Sequence, residues 1–337
     1  MYARLTLYSL FAVTLTFALV SLGCGDGAAT QRFVLVSGGQ TGVYYPTAGA
    51  IASVTRRTDS NIRLDNRPSG GSVNNARMIA SGEAQFALMQ NDIAAYAREG
   101  RYMFSEPIPN ILGVAALYPE HVQIVALADA GIQSVEDLRG KRVAIGAIGS
   151  GTEANATQIL EAAGLSVDDL ARAERLDASE SSDYLQDGRV DAAFFTFGVG
   201  TSSIQELTRL TDINFVPVAG DVREQLLEQY AFYREAVIPA GAYPEQDEDV
   251  PTVSVMATLV ARDDVPAEVV AVVLRGMFDN VDELHRTHAR LREVNREDAE
   301  ADLTLPLHPG AEAYFAGRTE PAPAAPDADT DTETTTD

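Results

Sequence analysis

Cysteine and lysine are almost missing from this chain. Its 337 residues include one cysteine, Cys24, so no disulfide can form within the chain and no thiolate metal site can be built. Lys141 is the sole lysine among 25 basic residues; they face 49 aspartates and glutamates, for a net charge of −24. No basic patch exists to displace counterions, which argues against nucleic acid as a ligand. Beyond Leu22 no run approaches the ~18 apolar residues that a spanning helix needs. No internal repeat is evident. Catalytic signatures are missing too. Ile148 stands where a Gly-x-Ser-x-Gly elbow around Ser150 needs glycine, and there is no His-Glu-x-x-His. Gly140-Lys141 lacks the earlier glycine of a phosphate loop, and Gly146, Gly149 and Gly151 fall in the wrong order for a dinucleotide fingerprint. His285 and His288 lack the acidic spacing of a zinc site and read as a solvated face. Neither an enzyme nor a cofactor is expected.

What the chain does contain is a glycine-rich turn used three times, each after a β-like run and before a helix-like one. The copies are Ser37-Gly38-Gly39-Gln40-Thr41-Gly42, Ser69-Gly70-Gly71-Ser72 and Gly149-Ser150-Gly151-Thr152. Such turns leave peptide N–H groups unpaired, and glycine removes the Cβ that would hold a ligand away from them. Helix N-termini favour small anions. Three such turns point to a carboxylate or another small polar solute, held mostly by peptide groups.

The ends carry additions. Met1 to Leu22 has Arg4 and then a run apolar apart from Ser and Thr, followed by Gly23-Cys24-Gly25. This resembles a lipoprotein export signal with Cys24 as the lipidated residue, although Ser21 replaces the usual leucine. An ordinary cleaved signal or an uncleaved anchor shares much of the pattern. Residues 25–31 read as a linker. Residues 319–337 are Pro, Ala, Thr and acids with no large apolar side chain, a composition expected to be disordered.

Between the ends, strand and helix patterns alternate, which favours an α/β fold with a mainly parallel sheet. Strands are expected at 33–36, 62–67, 85–89, 142–147, 190–197, 215–218 and 252–260. The run at 252–260 is expected to return to the first domain. The apolar runs 111–118 and 121–127, split by Pro119, fit a long antiparallel pair or a crossover between domains. Helices are expected from Pro46 to about Arg57, from Ser72 as cap, after Asp92 as cap, from Thr152 to Gly164, over 265–287, and from Pro309 to Phe315.

Several segments, in order, resemble a known family. They include Gly38-Gly39 with Gly42 and Tyr44-Tyr45-Pro46, Ser69 to Asn75, Ala80 to Ala84, Gln90-Asn91-Asp92, Leu117-Tyr118-Pro119-Glu120, Asp137 to Val143, Gly149 to Thr152, Ile238 to Tyr243 and Leu307 to Ala311. Their joint order and spacing resemble the TAXI class of solute receptors that serve TRAP transporters. The resemblance implies a two-lobed periplasmic-binding-protein type II fold, with the ligand cleft between the lobes. The corresponding lobes are 32–118 plus 240–318, and 119–239. It implies a periplasmic monomer that feeds a sodium-coupled TRAP permease and binds glutamate, glutamine or a dicarboxylate. The family usually has glycine where Val43 stands, which makes this first loop stiffer. A sensor coupled to a membrane kinase, or a receptor for an ATP-driven importer, would use the same fold.

The candidate ligand-binding residues are Gly39, Thr41, Gly42, Tyr44, Ser69, Gly71, Ser72, Asn75, Gln90, Tyr118, Ser150, Gly151, Thr152 and Phe197. Gly39 to Tyr44 can offer N–H groups to a carboxylate while Tyr44 closes over it; a plain turn with core tyrosines is the alternative. Ser72 can cap its helix or donate to a ligand, and Asn75 lies one turn further in. Gln90 follows the third strand at the carboxyl edge where open α/β sheets place ligands. Ser150 and Thr152 offer hydroxyls from the opposite wall. Thr196 or Phe197 can line the cleft. Tyr118 sits near the interdomain crossing, facing the cleft or packed in the hinge. No arginine is assignable to a ligand carboxylate; Arg67 is the nearest, and it reads equally as an exposed strand end.

Overall fold

Strands alternate with helices through most of the chain, and the strands gather into one mixed sheet. The computed structural model describes residues 29–40, 42–287 and 289–317. The export segment with Cys24, Thr41, His288 and the acidic tail lie outside them. Strands β1 (Gln31–Val36), β2 (Ile62–Arg67) and β3 (Phe86–Gln90) run parallel in the order β2-β1-β3. Helices α1 (Tyr44–Thr58) and α2 (Ser72–Ala80) connect them, and α3 (Asn91–Glu99) follows β3. A second parallel group holds β5 (Arg142–Ala144), β6 (Arg172–Glu174) and β7 (Ala192–Phe197) in the order β7-β5-β6. Helices α4 (Gly151–Ala162) and α5 (Ala178–Gln186) lie between these strands. After β7 come α6 (Ser202–Leu210), β8 (Ile213–Val216), α7 (Gly220–Gln229) and β9 (Arg234–Ile238).

Two long strands join the lobes: β4 (Ile111–Leu127) and β10 (Val250–Arg262), antiparallel to each other. The start of β10 pairs with β9 over Val250–Ser254, and its end pairs with β3 over Ala257–Ala261. The far half of β4 pairs with β7 from His121 to Ala126. Helices α8 (Ala267–Phe278), α9 (Val281–Thr287), α10 (Arg296–Ala301) and α11 (Pro309–Phe315) complete the first lobe. Alternate residues of each strand serve separate cores: Phe86 and Leu88 pack in one, Ala87 and Met89 in the other. A sheet covered by helices on both faces buries both sets, which explains its near-continuous apolar strands.

The structure decides between or departs from several sequence-based expectations. Residues 111–127 form one strand, so of the two expected arrangements the antiparallel pair is excluded and the crossover between lobes is the one observed. Pro119 lies just before the β7 pairing starts at His121, so its missing N–H breaks no bond of that ladder. Leu117 falls at a register shift against β10 that bends the strand there. The strand from Arg142 stops at Ala144, because Gly146 turns the chain at φ +99°. The helix expected over 265–287 breaks at Asp279-Asn280, residue types that favour helix ends. Ser72 is not the cap of α2: Gly71 holds the cap position, and the Ser72 hydroxyl accepts the Gln90 N–H at 3.1 Å.

One packing contact has a measurable consequence. A Cβ at Gly310, in the first turn of α11, would lie 2.2 Å from the Ala267 carbonyl oxygen of α8. Backbone cannot yield as a side-chain tip can. Gly310→Ala is expected to destabilise the protein by about 3 kcal/mol. That corresponds to a fall in Tm of roughly 6–12 °C by calorimetry; an unchanged Tm would refute the contact.

Candidate functional site

The carboxyl ends of β1, β3, β5, β6 and β7 all open onto one crevice between the lobes. It encloses a cavity of about 130 Å³. Of the residues expected at the site, Gly39, Gly42, Tyr44, Gly71, Ser72, Gln90, Ser150, Gly151, Thr152 and Phe197 line it. The three glycine turns therefore meet at one place.

The first loop turns tightly, with the Gly42 N–H on the Gly39 carbonyl at 3.0 Å. No side chain caps α1, so its first-turn peptide groups keep their polarity toward the cavity. The Tyr44 hydroxyl donates to Glu120 Oε2 at 2.6 Å. In the second loop Gly71 has φ +107°, a conformation that disfavours side chains, and a Cβ there would sit 3.3 Å from Ser150 Cα. The third wall is the start of α4, where the Ser150 hydroxyl accepts the Glu153 N–H at 3.1 Å as an N-cap. Asp177 caps α5 reciprocally with Glu180. The N-termini of α1, α2, α4 and α5 thus converge from both lobes, and helix dipoles there favour negative charge on a ligand.

Three expected residues are placed away from the cavity. Ser69 lies off the cavity, and its hydroxyl accepts the Gly71 N–H at 3.2 Å, which shapes the turn. Asn75 is fully buried behind it. Its amide donates to the carbonyls of Ser37 at 2.6 Å and Leu88 at 2.7 Å, pinning the ends of β1 and β3 together. Tyr118 packs in the core, its hydroxyl 3.3 Å from that of Thr47. Thr41 is outside the described residues. Arg67 is an exposed strand end. Asp92 does not cap α3: Gln90 holds the cap position and Asp92 is buried.

Sequence reasoning missed Glu120, Asp177, Phe194 and Phe195, which also line the cavity, while Thr196 joins Phe197 on its wall. Glu120 had one available sign, as a lone carboxylate within the apolar stretch 111–127. No arginine or lysine lines the cavity among the described residues. Burial pushes the Glu120 carboxyl up to about 8; the Tyr44 hydrogen bond opposes the shift and the Asp92 charge adds to it. No cluster of His, Cys, Asp and Glu among the described residues is placed to hold a metal ion.

The lobes are in contact around the cavity. The N–H groups of Val73 and Asn74, in the first turn of α2, donate to the Gly149 carbonyl at 3.1 and 3.2 Å. Below them Asn155 of α4 donates to Asp92 of α3 at 3.2 Å and to the Tyr233 hydroxyl at 2.8 Å. Tyr233 in turn donates to Gln158, whose amide meets Tyr96 of α3 at 3.2 Å. One lobe's carbonyl satisfying the other's helix end is a contact that exists only when the cleft is shut.

Two α/β lobes joined by long crossing strands, with a cavity between them, define the two-lobed fold of periplasmic binding proteins. The sequence profile of the NMT1-like family matches residues 35–317, and the chain belongs to that family. Among solved structures it is similar to a binding protein component of an ABC phosphonate transporter from Pseudomonas aeruginosa. That match has a TM-score of 0.52 at 11% identity and covers 78% of this chain and 80% of the other. It is similar also to a putative L-cystine ABC transporter protein from Listeria monocytogenes, with a TM-score of 0.50 at 14% identity over 77% of this chain and 95% of that one. At these identities the likeness extends to the fold. Among the described residues no helix is long and apolar enough to cross a membrane.

Proposed function

We propose that this protein is an extracytoplasmic solute receptor that closes its lobes over a small carboxylate-bearing solute, such as glutamate, glutamine or a dicarboxylate, and passes it to a membrane importer. The observation that carries this reading is the convergence of helix N-termini from both lobes on one shared cavity. Many peptide and hydroxyl hydrogen bonds, each net about 1 kcal/mol and more toward a charged group, would supply the affinity in a closed, dry cleft. Cys24 would tether the receptor as a lipoprotein in the periplasm, where it acts as a monomer and binds rather than transforms its solute. The ordered segments that resemble TAXI receptors favour a TRAP permease as the partner. The fold neighbours are described as parts of ABC transporters, which favours an ATP-driven importer as the second reading.

Titration calorimetry of the purified protein against amino acids, 2-oxo acids and dicarboxylates tests the receptor. One solute is expected to bind at a stoichiometry of one, and absence of heat with every acid would remove the proposal. Uptake that follows an imposed sodium gradient would support the TRAP partner; uptake that requires ATP would support the other.

A further inference from the structure

We infer that the cavity contains an ammonium subsite, in which Glu120, Gln90 and Thr196 take the α-amino group of the solute, so that the receptor selects amino acids over 2-oxo acids and dicarboxylates of the same length. The inference rests on the solute-receptor reading and narrows its ligand class.

The three side chains come from three strands that meet at the crevice. Glu120 lies on β4 and is 2% exposed; Gln90 ends β3 at 3%; Thr196 lies on β7 at 6%. Thr196 pairs with Val122, two residues along β4 from Glu120. All three line the same cavity. Gln90 Oε1 and Thr196 Oγ1 have no hydrogen-bond partner, although each is buried. A buried acceptor without a donor is costly, by about 1–3 kcal/mol. Two of them on the wall of one cavity, next to a carboxylate, call for a donor supplied by the ligand. An ammonium group offers three.

Charge leads to the same conclusion. Glu120 and Asp177 both face the cavity and, among the described residues, no lysine or arginine does. A dicarboxylate would bring two more negative charges among them; a zwitterion adds no net charge. Its carboxylate can lie on the first-turn peptide groups of α1 and α4 while its ammonium turns to Glu120. The Tyr44 hydroxyl already donates to Glu120 Oε2, which holds the carboxylate in place and favours its ionised form. The other titratable groups around it are Tyr44 on α1, Asp92 on α3, Tyr118 on β4 and Asp177 at the start of α5; Arg290 bears on Tyr118 and His121 instead. None of these groups supplies Glu120 with a cation. Burial, with a smaller push from the Asp92 charge and against the Tyr44 hydrogen bond, lifts its carboxyl to about 8, so at pH 7 the empty site holds a proton that an arriving ammonium expels.

The test is calorimetry on the purified protein with matched pairs: glutamate against 2-oxoglutarate, alanine against pyruvate, and succinate as a dicarboxylate without an amino group. At least one amino acid is expected to bind at least tenfold more tightly than its 2-oxo partner. Titration at pH 7 in buffers of different ionisation enthalpy is expected to show proton release with the amino acid, a readout that requires no variant. Glu120→Gln should weaken the amino acid at least 30-fold and leave the 2-oxo acid unchanged or improved. Equal or tighter binding of 2-oxoglutarate, pyruvate or succinate by the wild type overturns the subsite and spares the receptor. Undiminished amino-acid binding by Glu120→Gln does the same. Failure of every compound to bind removes the receptor reading itself.

Discussion

Protein carrying Gly151→Val is expected to keep its native circular dichroism and to lose at least 100-fold in solute affinity by calorimetry. Gly151 opens α4 in ordinary helical conformation, so a side chain costs little there in an open cleft. In the closed cleft the same Cβ would stand 2.1 Å from Gln90 Oε1 and 2.3 Å from Gln90 Cδ. The Gln90 side chain is buried and lines the cavity, so it can retreat only into the space the solute needs. Otherwise the lobes stay apart, and the Val73 and Asn74 bonds to Gly149, two residues earlier, are not made. Either outcome removes the site. Gly151→Ala places the same Cβ and should lose most of the affinity as well, which separates this clash from bulk at valine. Affinity of either variant within threefold of wild type would show that the cleft does not close in this way.

The second large effect is a dependence of stability on pH. Burial pushes the Asp92 carboxyl from 3.8 up to about 7, against the pull of hydrogen bonds from the Ile93 amide and Asn155. Its Oδ1 has no partner. The native state therefore retains a proton that the unfolded chain gives up. This stabilisation is complete below pH 3.8, falls as the pH rises toward about 7, and is gone above it. Holding the proton up to about pH 7 instead of 3.8 corresponds to roughly 4 kcal/mol. The wild-type Tm should fall between pH 5 and 8. Asp92→Asn, neutral at every pH but still able to accept from Asn155, should flatten much of that slope and be the more stable protein at pH 8. Glu120 adds a slope of the same sign between 4.5 and about 8, so adding Glu120→Gln should flatten it further. A variant that reproduces the wild-type Tm profile across this range would mean that Asp92 is hydrated and its carboxyl ordinary.

The turns were legible because strand-to-helix transitions are decided within a few residues. Ile62–Arg67 and Pro309–Phe315 form where their patterns place them, and His308 caps the last helix through its ring, Nδ1 accepting the Gly310 N–H at 3.2 Å. Ser72 shows the limit. Its type and position suit a cap, but β3 brings a peptide N–H eighteen residues away within reach of the hydroxyl. Asn75 was expected to face the cleft; instead it turns to two carbonyls at the ends of β1 and β3. Glu120 was hidden because its partner Tyr44 lies 76 residues earlier, and Thr196 because its place on the wall depends on the pairing of β7 with β4.

By itself the sequence determined the alternation of strands and helices, the polar glycine turns and the exclusion of disulfide and nucleic-acid chemistry, since composition and local periodicity decide these. Tertiary structure alone decided which turns share a cavity, that among the described residues its walls carry two carboxylates and no lysine or arginine, and that a carbonyl of one lobe completes a helix of the other. Those relations depend on strand order and lobe closure, which bring together groups that no local pattern links.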